Sequence, residues 1–123
     1  MSKKILAVDD SPSVRKLLEF TLQSGGFLAT TAKDGQEAWD IIVNEIFDAA
    51  ILDINMPRLT GFELLERIRG HENLKTMPVI MLVSEENEPD RELALKLGAT
   101  AYLAKSFKPT MLLELINRIL EPE

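Results

Sequence analysis

Three aspartates follow directly on short apolar runs: Asp9 and Asp10 after Ile5–Val8, and Asp53 after Ala49–Leu52. A serine, Ser84, closes the run Val79–Val83, and Lys105 follows the more mixed stretch Thr100–Leu103. Carboxylates brought together repel one another. At about 4 Å and an effective dielectric of about 20, each like pair costs about 4 kcal/mol before screening. A cation must offset this. Mg²⁺ suits the set, being a hard ion that takes a few carboxylates and completes its octahedron with water or phosphate. Lys105 supplies a second positive charge. A carboxylate can also attack phosphorus to form an aspartyl-phosphate, and phosphoryl transfer asks mainly for in-line positioning and charge neutralisation. Asp53 is the expected acceptor because it stands alone at a strand end, whereas Asp9 and Asp10 are an adjacent pair suited to holding metal. Ser84 supplies a hydroxyl donor beside it.

Each residue also has an ordinary explanation. Asp9-Asp10-Ser11 can cap a helix, and Asp53-Ile54-Asn55 can form an Asx turn. Ser84 can simply end a strand, and Lys105 can be a solvated loop lysine. Singly these explanations suffice. Jointly they are weaker, because the residues follow different strands on one edge. His71 reads as a surface residue and Trp39 as a packing residue. The acidic stretch Glu85, Glu86, Glu88 and Asp90 complements the positive end of a helix.

The site depends on elements that deliver these residues to one edge. The apolar runs Ile5–Val8, Ala49–Leu52 and Val79–Val83 lack alternation, so they read as strands buried on both faces. Phe27–Thr31 and Thr100–Leu103 mix polar and apolar residues, as edge strands do. Helical spacing fills the gaps. Val14, Leu17, Leu18, Thr21 and Leu22 share a face behind Ser11-Pro12 and before Gly25-Gly26. Asp34-Gly35-Gln36-Glu37 reads as a capping box leading to Ala38, Ile41, Ile42 and Ile46. Thr60-Gly61-Phe62-Glu63 reads as another, leading to Leu65 and Ile68. Pro89 and Asp90 open a short helix that Gly98 stops, and Pro109 opens the last, with Leu112, Leu115, Ile116 and Ile119.

Strand and helix thus alternate, which implies an α/β fold with a parallel sheet and helices on both faces. The flavodoxin-like doubly wound order 2-1-3-4-5 puts the apolar strands inside and the mixed ones at the edges. Its site lies beyond the carboxyl ends of strands 1 and 3, where the winding reverses. With 123 residues the chain is expected to form a single domain, 1–123. The 14 basic and 20 acidic residues leave a net charge of −6, which disfavours nucleic acid as a direct partner. There is no cysteine, so disulfides and thiolate chemistry are excluded. No apolar run approaches the roughly 20 residues of a membrane span. The start of the chain does not read as a signal peptide, and the expected location is cytoplasmic.

The pieces Ile5-Leu6-Ala7-Val8-Asp9-Asp10-Ser11, Leu52-Asp53-Ile54-Asn55-Met56-Pro57 with Gly61, Val79–Ser84, and Gly98–Lys105 occur in order over essentially the whole chain. Together they resemble the receiver domain of two-component response regulators, of the single-domain chemotaxis type. The resemblance implies that Asp9 and Asp10 hold Mg²⁺ with the backbone carbonyl of Asn55, and that Asp53 takes a phosphoryl group from a sensor histidine kinase or phosphotransfer protein. Ser84 and Lys105 would bind phosphoryl oxygens. Tyr102 matches an aromatic switch position that turns inward when the strand-4 hydroxyl is drawn to the phosphate. The output surface would be helix 4, strand 5 and helix 5, acting by protein contact because the sequence stops just after the fifth helix. Such a protein catalyses only its own phosphorylation and dephosphorylation. Asn55 and Glu86 hold positions that tune access of water to the acyl phosphate, so hydrolysis is expected to be comparatively fast.

Three positions depart from the family pattern: Thr60 for the usual aspartate, Glu85 for a small residue, and Ser106 for proline. Glu85 would narrow access to Asp53 and favours, mildly, a pseudo-receiver that binds without being phosphorylated. A Mg²⁺-dependent phosphohydrolase is disfavoured, since its strand-1 acids usually lie two apart. In the family the bond after the lysine is commonly cis to proline. With Ser106 that geometry costs about 3–4 kcal/mol rather than about 0.5–1. The need to aim Lys105 at Asp53 nevertheless tips the expectation slightly to a cis Lys105–Ser106 bond.

Overall fold

Strand and helix alternate through the chain: β1 (Lys4–Val8), α1 (Pro12–Ser24), β2 (Leu28–Ala32), α2 (Gly35–Ile42), β3 (Ala49–Asp53), α3 (Gly61–Gly70), β4 (Val79–Val83), α4 (Glu88–Lys96), β5 (Ala101–Ala104) and α5 (Pro109–Leu120). The structure is a computed structural model and describes residues 2–84 and 88–121. The sheet has five strands in the order β2-β1-β3-β4-β5, and every pairing is parallel. The winding is therefore doubly wound and flavodoxin-like, with the mixed strands at the edges.

The unbroken apolar runs have a direct cause. Successive side chains of a strand point to opposite faces, and here both faces are covered. Leu6, Val8, Ala50, Leu52, Met81 and Val83 pack with Ala38, Leu64, Leu65 and Ile68 of α2 and α3. Ile5, Ala7, Ile51, Ile80 and Leu82 pack with Leu18, Leu22, Leu112 and Ile116 of α1 and α5. Each fully buried Leu or Ile side chain contributes about 1.5–3 kcal/mol relative to exposure.

Local signals set the helix ends that lead into the site. Ser11 caps α1, its Oγ accepting from the Val14 amide at 3.4 Å. The Thr60 capping box forms in both directions, Thr60 Oγ1 accepting from the Glu63 amide and Glu63 Oε1 from the Thr60 amide. The second expected box is different: Asp34 Oδ1 accepts from the Glu37 amide, but Glu37 Oε1 takes the Lys33 amide, one residue earlier than a box requires.

Several boundaries move. β2 starts at Leu28 rather than Phe27, because the Phe27 amide closes α1 on Leu22 O at 3.0 Å and its ring is buried, leaving Leu28 57% exposed at the sheet edge. β5 starts at Ala101, since Thr100 instead binds the start of β4 through its amide and its Oγ1. α2 ends at Ile42, and Ile46 is 90% exposed rather than on the buried face. On α1, Leu18, Thr21 and Leu22 are buried while Leu17 is 40% exposed, so the packed stripe is narrower than the spacing predicts.

Candidate functional site

The parallel register sets Val8 beside Leu52, so the residues that follow, Asp9 and Asp53, emerge next to each other at the carboxyl end of the sheet. Asp10 joins them, and one oxygen from each of the three carboxylates lies within 4.8 Å of the others. Asp9 and Asp53 are buried, at 0% and 1% exposure, whereas Asp10 is exposed. Asp9 is also tied locally, although the helix cap falls to Ser11: its Oδ1 accepts from the Ser11 amide at 2.9 Å, and its carbonyl accepts from Arg15 Nη1 at 2.8 Å.

Gly61 sets the other wall. Its amide donates to Ile54 O at 2.8 Å. A Cβ on Gly61 would stand 2.1 Å from the Asp53 carbonyl oxygen, so helix α3 starts in direct backbone contact with the end of β3.

Lys105 reaches in from β5. Its Nζ lies 2.9 Å from Asp53 Oδ1 and 3.6 Å from Asp9 Oδ2. Burial pushes the Asp53 carboxyl up from its ordinary pKa. The hydrogen bond from Lys105 opposes this, and the negative charges of Asp9 and Asp10 add to it. For Lys105, burial acts downward, but the Asp53 and Asp9 carboxylates outweigh it and hold the ammonium above its ordinary range.

The Lys105–Ser106 bond is not cis: no peptide bond among the described residues is. The expected strain is unnecessary because other bonds aim the lysine. The Lys105 amide donates to Val83 O at 2.9 Å, and the Phe107 amide closes a turn onto Ala104 O at 3.0 Å. The Phe107 ring is buried in the α1–α5 core.

Asp9 Oδ2 and Asp53 Oδ2 are buried without a hydrogen-bond partner. Unsatisfied buried carboxylate oxygens are costly. Two of them beside a third, exposed carboxylate make an oxygen donor set suited to a hard divalent cation. The residues therefore fit Mg²⁺.

The remaining predicted residues lie on the elements and loops that follow the strands. Ser84 follows β4 and is exposed; Asp53 pairs with Leu82, which puts Ser84 two residues further along the neighbouring strand. Asn55 is exposed in the β3–α3 loop. Tyr102 faces outward, 39% exposed, with the Arg91 guanidinium 5.6 Å from its ring centre. Glu85 and Glu86 lie outside the described residues. His71 and Trp39 stand apart from the site and meet edge to face, their ring centres 5.8 Å apart.

The geometry missed by sequence reasoning involves Arg58. Its Nη1 donates to Asp34 Oδ2 at 2.9 Å. Its backbone φ is +70°, and no spacing rule marks a left-handed arginine.

The chain belongs to the response regulator receiver domain family, whose model matches residues 5–117. It is thus a receiver domain of two-component signalling. Its sequence is 40% identical over 118 residues to the transcriptional regulatory protein GltR of Pseudomonas aeruginosa, covering 96% of this chain and 49% of that protein. It is 36% identical over 119 residues to a chemotaxis protein CheY homolog of Campylobacter jejuni, covering 95% of this chain and 92% of that one. The chain spans about half the length of several curated relatives it matches. Among solved structures, the chemotaxis response regulator CheY4 of Vibrio cholerae superposes with a TM-score of 0.92 at 39% identity, over 98% of this chain and 100% of that one. The receiver domain of the sensor histidine kinase PA1611 from P. aeruginosa, solved with a magnesium ion coordinated in its active site cleft, gives 0.91 at 32% identity, over 99% and 100%. No helix among the described residues is long and apolar enough to cross a membrane.

Proposed function

We propose that Asp53 accepts a phosphoryl group from a sensor histidine kinase or a phosphotransfer protein, and that the chain, as a single receiver domain over 1–123, signals by changed protein contacts. The observation that carries this is the buried Asp53 carboxylate, held by Lys105 at 2.9 Å and clustered with Asp9 and Asp10 within 4.8 Å. An Asp53 oxygen forms the bond to phosphorus as the donor's phosphorus–nitrogen bond breaks. Asp9, Asp10, Asp53 and the Asn55 carbonyl would hold Mg²⁺, which supplies neutralisation of the charge on the transferring group. Lys105 takes up a phosphoryl oxygen in exchange for part of its present ion pair, and the Ser84 hydroxyl donates to another. Movement of Ser84 toward the phosphate opens space for Tyr102 to leave its exposed position. The output surface is then α4, β5 and α5, where Tyr102 lies.

The net charge of −6 supports a protein rather than nucleic acid as the direct partner. The chemistry is self-modification and hydrolysis, not turnover of a free substrate, and the proposed compartment is the cytoplasm.

Incubation with Mg²⁺ and a small phosphodonor such as acetyl phosphate, followed by intact mass, tests the proposal. One phosphoryl mass is expected on the wild type and none on Asp53→Asn. A wild type that gains no mass would be a receiver fold acting as a binding module only. An Asp53→Asn protein with the full gain would move the acceptor elsewhere.

A further inference from the structure

We infer that the Asp34–Arg58 ion pair is a positioning device for cation binding at the acidic cluster, acting through the β3–α3 loop. The inference rests on the proposed Mg²⁺ site and adds to it two residues that are not ligands.

Asp34 is 3% exposed and uses both carboxylate oxygens. Oδ1 caps α2 at the Glu37 amide, 2.8 Å away, and Oδ2 receives Arg58 Nη1 at 2.9 Å. A serine or asparagine caps a helix equally well. Capping therefore accounts for one oxygen, and the second serves Arg58. Arg58 is the sole non-glycine residue with positive φ among those described, at +70°. Glycine or asparagine is the ordinary occupant of that conformation. An arginine there is explained by what its side chain reaches.

The pair joins two segments that already touch closely. A Cβ on Gly35 would lie 2.1 Å from the Leu59 carbonyl oxygen, so the backbone after Arg58 rests on the first turn of α2. Two residues further on, Gly61 sits against the Asp53 carbonyl and its amide donates to Ile54 O, which ties the end of the loop back to its start. The loop from Ile54 to Thr60 is thus held at both ends, with Asn55 between them. Asp10, Arg15, Pro57 and Arg58 line one cleft, which brings the pair to the border of the acidic cluster.

Two roles for Arg58 predict opposite signs. As a nearby positive charge alone, it would weaken cation binding, and its removal would tighten it. As a positioning residue, its removal loosens the loop and weakens binding. The second is expected, since Asp34 neutralises the guanidinium and partners that orient ligands typically matter by about tenfold or more in metal affinity.

The test measures Mg²⁺ affinity of the full chain by calorimetry for wild type, Arg58→Gln, Arg58→Gly, Arg58→Lys and Asp34→Asn, with hydrogen exchange of the metal-free proteins over the loop. Arg58→Gln and Arg58→Gly should each bind Mg²⁺ about tenfold more weakly, although glycine relieves the left-handed backbone. Arg58→Lys should recover part of the loss. Asp34→Asn, which keeps the cap, should behave like Arg58→Gln. Exchange at the Gly61 amide should quicken in the weakened variants while the β1 amides stay protected. Unchanged or tighter binding in both Arg58→Gln and Arg58→Gly overturns the inference, as does unchanged exchange at Gly61. A wild type that binds no Mg²⁺ overturns the metal site itself and the cation role with it; the exchange result then still decides whether the pair orders the loop.

Discussion

The Lys105 ammonium lies 2.9 Å from Asp53 Oδ1, and the peptide bond that follows it is trans. Lys105 also stands 3.6 Å from Asp9 Oδ2, so one cation serves two buried carboxylates whose other oxygens are held unequally. Asp9 Oδ1 is fixed by the Ser11 amide, while Asp53 Oδ2 has no hydrogen-bond partner. The lysine is delivered by backbone bonds to Val83 and by burial of Phe107, which gives its long side chain a defined root.

Replacing this lysine tests the balance of charge. Lys105→Met should lower metal-free stability by about 1 kcal/mol. This is less than the roughly 3–5 kcal/mol of a broken fully buried pair, because Lys105 is 40% exposed and water screens it. With more uncompensated negative charge, the variant should gain more from millimolar Mg²⁺ than the wild type does, as the linkage relation requires for tighter binding to the native state. Paired thermal melts with and without Mg²⁺ measure both effects. Equal metal-free melting points and equal shifts would refute the account.

Acid should act on two aspartates in opposite directions. The Glu37 amide, against the effect of burial and with help from Arg58, holds the Asp34 carboxyl below its ordinary range. Its stabilisation is therefore full above the unfolded pKa of about 3.9 and is lost as pH falls through the lower folded value. Asp53 is raised, chiefly by burial, so its ionised form costs stability in the metal-free protein. That cost is relieved as pH falls through the folded pKa toward the unfolded one. Urea unfolding across pH 3–7, an experimental range set around about 3.9, should show Asp34→Asn losing less stability on acidification than the wild type. It should show Asp53→Asn gaining less from mild acid. Parallel pH profiles for all three proteins would show that neither group is linked to folding.

Two glycines of α3 should respond with opposite sign. Gly61→Ala forces a Cβ to 2.1 Å from the Asp53 carbonyl oxygen, and the obstacle is backbone rather than a yielding side chain. A loss of about 3 kcal/mol, the upper end for overpacking, is expected. Gly70→Ala meets nothing within 4 Å and has no positive φ, so it should stabilise by about 0.4–1 kcal/mol. Chemical denaturation of the two variants provides the measurement, and a tolerated Gly61→Ala would contradict the close packing at the end of β3.

Much of the fold is legible in the residues because its signals are local or periodic. The apolar runs of β1, β3 and β4 are continuous since both sheet faces are covered, and their lack of alternation identifies them as interior strands. Ser11-Pro12, Thr60 with Glu63, and Gly98 at φ +100° mark helix ends through the chemistry of one turn. Signals of this kind cannot separate Phe27 from Leu28, or show that Leu17 and Ile46 are exposed. Those outcomes depend on which neighbour covers a given face.

The same division runs through the site. From the sequence alone follow the identities Asp9, Asp10, Asp53, Ser84 and Lys105 and their place after successive strands, because a parallel sheet sends the residues after its strands to one edge. Only the tertiary structure decides that Asp9 and Asp53 are buried while Asp10 is not, and that Lys105 reaches both with a trans bond. It alone shows that Arg58 takes a left-handed conformation to meet Asp34 across 24 residues of chain. The physical reason is range: caps, strands and helix faces are set by neighbours within a few residues, whereas burial, ion pairing and a tolerated strained backbone are set by groups the chain brings together from far apart.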